Sequence, residues 1–201
     1  EIDIEVQRSG AVVVLVAHEH DLERGALADE APVRAAAGAL VVLRDAARTR
    51  AFWLLAITFA ICGWTTNGII SSHFVPAMHD HGVGATTAAS LLVIVGIFDI
   101  VGTVGSGWLT DRIDPRILLA VYYSLRGVAL LAIPFILGPE IEPPLLLVMV
   151  LFGLDWVATV PPTVTLCREI YGVERGAIVF GWVFAAHMVG AAFAAAVSGW
   201  I

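Results

Sequence analysis

Asp99, Arg126, Asp155 and His187 each stand inside a long apolar run. Asp99 lies 12 residues before Asp111, and Arg126 lies ten after Arg116. Asp155 lies 12 before Cys167, and His187 ten after Ala177. On helices rising about 1.5 Å per residue, all four would sit about 15–18 Å from helix ends on one side, in a single layer. A carboxylate or an imidazole in such a layer can take up and release a proton. A guanidinium can pair with a carboxylate. His187, set among the small residues of "AAHMVGAA", can equally be a packing histidine.

Two further stretches carry polar chemistry. "GWTTNG" places Trp64, Thr65, Thr66 and Asn67 between Gly63 and Gly68, with His73 following. The glycines would loosen a helix there and free backbone groups, and a hydroxyl–amide cluster beside an aromatic suits a small polar metabolite. Packing between helices is the other reading of the same residues. In "HFVPAMHDH", His73 falls inside a helical run while His79, Asp80 and His81 fall on a loop. Nothing completes a tetrahedral ligand set, so no metal site and no cofactor are expected.

"GWLTDRIDPR", residues 107–116, gathers Gly107, Asp111, Arg112 and Arg116 in a short gap between apolar runs. Asp111 could accept hydrogen bonds from the N–H groups at the start of a neighbouring helix. Arg112 and Arg116 could pair with carboxylates or with helix C-terminal carbonyls. Gly102, Gly105 and Gly107 would let another helix approach closely. A plain topology signal also accounts for the arginines.

Composition determines what must hold these groups. The 201 residues are 59% hydrophobic and 14% charged, with a mean hydropathy of +0.88. Soluble domains run nearer ~25% charged, so the excess apolar surface needs a solvent other than water. All basic residues are Arg, and the net charge of −7 with no basic stripe argues against nucleic acid. Cys62 and Cys167 lie in or at the end of apolar runs, as buried thiols would. The opening "EIDIEVQRSG" lacks a signal-peptide pattern and does not start with Met, so a piece of a longer chain is expected.

Five apolar runs, at 51–78, 86–110, 116–138, 144–167 and 177–201, each exceed 20 residues. A helix needs ~20 to cross a hydrocarbon core about 30 Å thick, so the pattern predicts an all-α integral membrane chain with five spans. Arg44, Arg48, Arg50, Arg112, Arg116, Arg168 and Arg175 all fall in the gaps on one side. The positive-inside rule puts that side, with loops 111–115 and 168–176, in the cytoplasm. Residues 1–50 read as a linker: "AVVVLVAH" is too short to span, and "DEAPVRAAAGALVVLRDAARTR" suits an amphipathic helix or a mobile tether.

Gly107-x-x-x-Asp111-Arg112 with Arg116, between two membrane helices, resembles the cytoplasmic loop signature of the major facilitator superfamily. "GIFDIVGTVGSGWLTDR", "GLDWVATVPPTV" and "GWVFAAHMVGAAFAA" resemble the second half of carriers in its monocarboxylate-transporter and oxalate/formate-antiporter branch. The resemblance covers 51–201 and implies helices seven to eleven of twelve, with 1–50 as the central cytoplasmic loop. It further implies a first six-helix half and a twelfth helix as partners, beside the lipid bilayer. The 107–116 cluster would then be a gating latch. In that fold the ninth helix is peripheral, so Arg126 is expected to be a structural ion-pair partner of Asp99 or Asp155. Asp99, Asp155, His187, Trp64, Thr66 and Asn67 would line the substrate and proton pathway.

Two departures stand out: Asp114 and Pro115 replace a glycine and a basic residue of the loop signature, and Thr103 stands where these carriers tend to have an arginine four residues after the Asp. The resemblance implies a non-enzymatic carrier of a small organic anion in a bacterial cytoplasmic membrane, working by alternating access with protons as coupling ion. The residues leave open an efflux carrier for hydrophobic compounds, and a non-transporting scaffold or sensor.

Overall fold

The computed structural model describes residues 36–137 and 143–198. The short apolar stretch at 11–18, the rest of 1–35, the gap at 138–142 and the end at 199–201 lie outside the described residues. The chain divides into two units, Glu1–Arg44 and Asp45–Ile201. In the first, residues 36–44 are helical, with Leu40 and Val41 exposed. The second consists of five long helices: α1 (Arg50–Asp80), α2 (Ala85–Thr110), α3 (Pro115–Ile136), α4 (Pro143–Tyr171) and α5 (Val173–Ser198). All five are long and apolar enough to cross a membrane. Their outward faces carry side chains such as Val104, Leu131 and Phe135, exposed by 71%, 73% and 87%. Such a surface needs hydrocarbon or another apolar protein face to cover it.

Local chemistry sets the helix ends. Thr49 caps α1, its hydroxyl accepting from the Phe52 N–H at 3.3 Å and meeting the Tyr171 hydroxyl at 2.6 Å. Asp114 caps α3 by accepting the Arg116 N–H at 2.8 Å, with Pro115 in the first turn, where a missing N–H costs nothing. α5 begins at Val173, four residues before its apolar run. The turn out of α4 needs only Gly172, which takes φ 82°, a left-handed conformation that side chains disfavour. Glu174 in the first turn of α5 then meets the positive end of the helix dipole.

The helices pair as α1 with α5, α2 with α4, and α3 against α4. In the first two pairs glycine sets the separation. A Cβ on Gly63 would overlap the His187 carbonyl, one on Gly190 the Ala60 carbonyl, and one on Gly102 the Leu154 carbonyl. Gly153 answers from α4, 2.7 Å from the Val95 carbonyl by the same measure. Such contacts bring backbones together without a hydrophobic driving force, as membrane helices require. Gly105 and Gly107 were expected to do the same, but a Cβ there meets nothing within 4 Å among the described residues. Only Gly102 of the three faces a packed neighbour.

The contrast is measurable. Gly63→Val, Gly102→Val and Gly190→Val should each cost about 1–3 kcal/mol through forced separation of backbones. Gly105→Ala should stay within about 1 kcal/mol of the parent or exceed it, because alanine is the better helix former. Thermal unfolding in detergent reads both.

Candidate functional site

α4 is interrupted at 156–159, and the sequence supplies the reason. Pro161 and Pro162 have no N–H, so the carbonyls of Val157 and Ala158 lose their helical donors. The helix restarts at Val160 with proline in its first turn, where N–H groups have no helical partner anyway. The helix thus breaks just ahead of the two prolines rather than bending at them.

Inside a bilayer, freed backbone groups must find partners in the protein. Here the partners are side chains of other helices. Ser106 of α2 donates to the Ala158 carbonyl at 2.5 Å. Arg126 of α3 donates through Nη2 to the Asp155 carbonyl at 2.6 Å and to the Trp156 carbonyl at 3.3 Å. The Val157 N–H donates to Asp99 Oδ1 of α2 at 3.0 Å. Within the break, the Val160 N–H reaches the Val157 carbonyl at 2.9 Å.

Arg126 has further partners. Its Nε lies 2.6 Å from Asp155 Oδ2, with side-chain exposures of only 2% and 5%. Nη1 donates to Cys62 Sγ at 2.7 Å, and Cys62 lies 3.5 Å from the Thr159 hydroxyl. Of the two carboxylates open to Arg126, the structure pairs it with Asp155. Asp99 turns Oδ1 to the break instead, and Thr103, at the position where an arginine was looked for, donates to that same oxygen at 3.2 Å. Asp155 Oδ1 is buried without a hydrogen-bond partner among the described residues.

His187 is buried on α5 against Gly63. Its ring stacks on Phe184 at 5.4 Å and 7°, and meets Phe59 at 5.0 Å. Its Nδ1, too, is buried without a partner among the described residues. The "GWTTNG" cluster divides. Trp64 turns outward onto Phe193 at 5.3 Å, and the buried Thr66 hydroxyl donates to the Cys62 carbonyl at 2.8 Å. Asn67 is half-buried in a π-helical stretch, Trp64–Ser71, where its carbonyl accepts from Ser72 at 3.0 Å. A cavity of about 200 Å³ opens between the end of that stretch, α2 and the break, lined by Ser71, Gly96, Asp99 and Trp156 among others.

The charges of the 107–116 loop bond locally. Arg112 donates to the Trp108 carbonyl at 2.9 Å and covers the Trp108 ring at 4.0 Å. Arg116 lies 3.6 Å from Asp114, both exposed. Asp111, also exposed, makes no side-chain hydrogen bond among the described residues. Sequence reasoning passed over Ser106 and Thr159, and took Cys62 as a buried thiol, which it is, without its place beside Arg126. One signal was there to find: Asp99, Thr103 and Ser106 are spaced as one polar stripe on a helix face.

These contacts predict a specific coupling pattern. Arg126→Gln and Asp155→Asn should each cost about 3–5 kcal/mol by stranding a buried partner. The double variant should cost far less than their sum. Asp99→Asn keeps an acceptor for the Val157 N–H and should add to Arg126→Gln within about 0.5 kcal/mol. Arg126→Met with Asp155→Leu should still lose about 1–3 kcal/mol, because the Asp155 and Trp156 carbonyls lose their donor. Denaturation in detergent supplies the cycle.

Comparison with known proteins bears on the same chain. The sequence model described as Major Facilitator Superfamily matches residues 9–195. Monocarboxylate transporter 13 of Rattus norvegicus is 30% identical over 131 residues, 64% of this chain and 30% of the relative. The uncharacterized MFS-type transporter YcxA of Bacillus subtilis (strain 168) is 29% identical over 134 residues, 65% of this chain and 32% of the relative. Monocarboxylate transporter 12 of Xenopus laevis is 28% identical over 156 residues, 75% of this chain and 33% of the relative. The chain thus spans about a third of the length of these curated relatives, and no solved structure matches it significantly. With five membrane-spanning helices and a family match over most of its length, the chain belongs to the major facilitator superfamily, whose members are transporters rather than enzymes.

Proposed function

We propose that residues 51–201 form helices seven to eleven of a carrier that moves a small organic anion across the membrane by alternating access, coupled to protons. Residues 1–50 would be the central loop, and the arginine-rich ends would face the cytoplasm. The observation that carries the reading is the buried layer around the broken α4. There, Asp155 Oδ1 and His187 Nδ1 are polar atoms with no partner among the described residues. Native interiors rarely leave such atoms unmatched, and sites that bind and release protons or ligands are where they are tolerated. Discontinuous helices near the bilayer midplane are a recurrent setting for carrier sites. The names of the relatives, monocarboxylate transporters, support an organic acid as substrate.

Reconstituted into vesicles, the full-length carrier should take up a labelled monocarboxylate or dicarboxylate saturably. An inward proton gradient should raise that uptake several-fold. His187→Gln preserves bulk and should remove the gradient stimulation without lowering the yield of folded protein. An inserted, folded carrier that moves no acid of either class would sink the reading, leaving efflux of hydrophobic compounds or a scaffold role. Orientation has its own check: a cysteine placed at Ile113 should react only from the cytoplasmic side.

A further inference from the structure

The cavity beside Asp99 has a chemistry of its own. Asp99 Oδ1 is held twice, by the Val157 N–H at 3.0 Å and the Thr103 hydroxyl at 3.2 Å, which fixes the plane of the carboxylate. Its charge has no arginine partner among the described residues, because Arg126 is committed to Asp155, Cys62 and two carbonyls. Asp99 lines an opening of about 200 Å³ together with Trp156, Ser71 and the aliphatic Leu92 and Val95. The sixth lining residue, Gly96, has nothing within 4 Å of where a Cβ would lie. A whole drug-sized ligand needs about 300–1,000 Å³, so the opening suits one functional group with a short alkyl stem.

A fixed carboxylate, a tryptophan and a serine around a small apolar-walled space are residue types that recognise an alkylammonium group. The carboxylate and hydroxyl accept its N–H bonds, and the indole attracts its charge. A plain carboxylate substrate would meet like charge from Asp99 unless a proton neutralised it first. Leaving Asp99 ionised and unpaired at membrane depth is costly, and a cationic group delivered with the substrate removes that cost.

The geometry points to this cavity as the seat of a substrate ammonium group, so that the acid carried is zwitterionic: an amino acid rather than a simple carboxylate. The inference rests on the carrier reading above and narrows its substrate class. No covalent step is involved, and the substrate's own carboxylate lies away from Asp99.

The test is uptake of matched acids by the full-length carrier in vesicles: γ-aminobutyrate against butyrate, and β-alanine against propionate. The wild type should prefer the aminated member of each pair. Asp99→Asn retains an acceptor for the Val157 N–H, so the break in α4 stays capped, and it should lower the aminated-to-plain uptake ratio at least tenfold. Trp156→Leu, which leaves Asp99 in place, should lower the same ratio. Two results overturn the inference while the carrier reading stands. One is a wild type that moves plain acids and ignores the aminated ones. The other is an equal loss of both acids in Asp99→Asn, which would make Asp99 a requirement of transport as such. If inserted wild type moves neither member of any pair and no other monocarboxylate or dicarboxylate, the carrier reading fails and this inference fails with it.

Discussion

A backbone carbonyl without a donor costs several kcal/mol in hydrocarbon, and two adjacent prolines in α4 create that problem in the middle of a membrane span. The rest of the bundle is arranged around the remedy. Ser106 supplies Ala158, Arg126 supplies Asp155 and Trp156, and Asp99 takes the Val157 N–H. These groups come from α2 and α3, so the positions of both helices are tied to the break. Cys62 extends the network to α1 through Arg126 and Thr159. His187 joins from α5 by packing on Gly63, the residue next to Cys62.

This arrangement explains why a guanidinium is kept at a depth where one alone is unfavourable by about 2.5–3.5 kcal/mol. A buried ion pair taken by itself is weak evidence for stability, since apolar residues of similar volume often replace it without loss. Arg126 differs because it serves two main-chain carbonyls as well as the Asp155 carboxylate. No apolar side chain can do that. Asp155 compensates the charge that the carbonyls require, and Asp99 remains as a carboxylate with a different partner set.

The spans and the shared layer of ionisable residues were legible in the sequence because length, hydropathy and helical rise dictate them. Which carboxylate Arg126 would take was not. Asp99 and Asp155 lie at similar depth, and the choice follows from the broken backbone, which presents the Asp155 and Trp156 carbonyls to the guanidinium. Ser106 and Thr159 went unnoticed because small polar residues on apolar helices usually bond within their own turn, as Thr58, Ser90 and Ser124 do here. The glycines show a similar limit. Gly63, Gly102 and Gly190 meet a partner's backbone while Gly105 does not. A helix apolar on every side gives no periodicity from which to tell the faces apart.

Non-α backbone at membrane depth occurs at two places among the described residues, the π-helical Trp64–Ser71 of α1 and the turns at 156–159 of α4. The two meet at the same opening. Ser71 ends the π stretch, Trp156 begins the break, and both line the cavity that Asp99 enters from α2. π segments recur at functional sites because the wider turn is less stable than the α-helix and persists only where the surroundings favour it. Here it is flanked by tight packing, with Gly63 and Gly68 against α5. The π stretch itself packs on α5 through Gly68, and its last residue, Ser71, reaches the cavity. Asp99 caps the break in α4 and shares the cavity with Ser71 at the end of the π stretch, so the one carboxylate of that cavity is tied to the backbone of the broken helix.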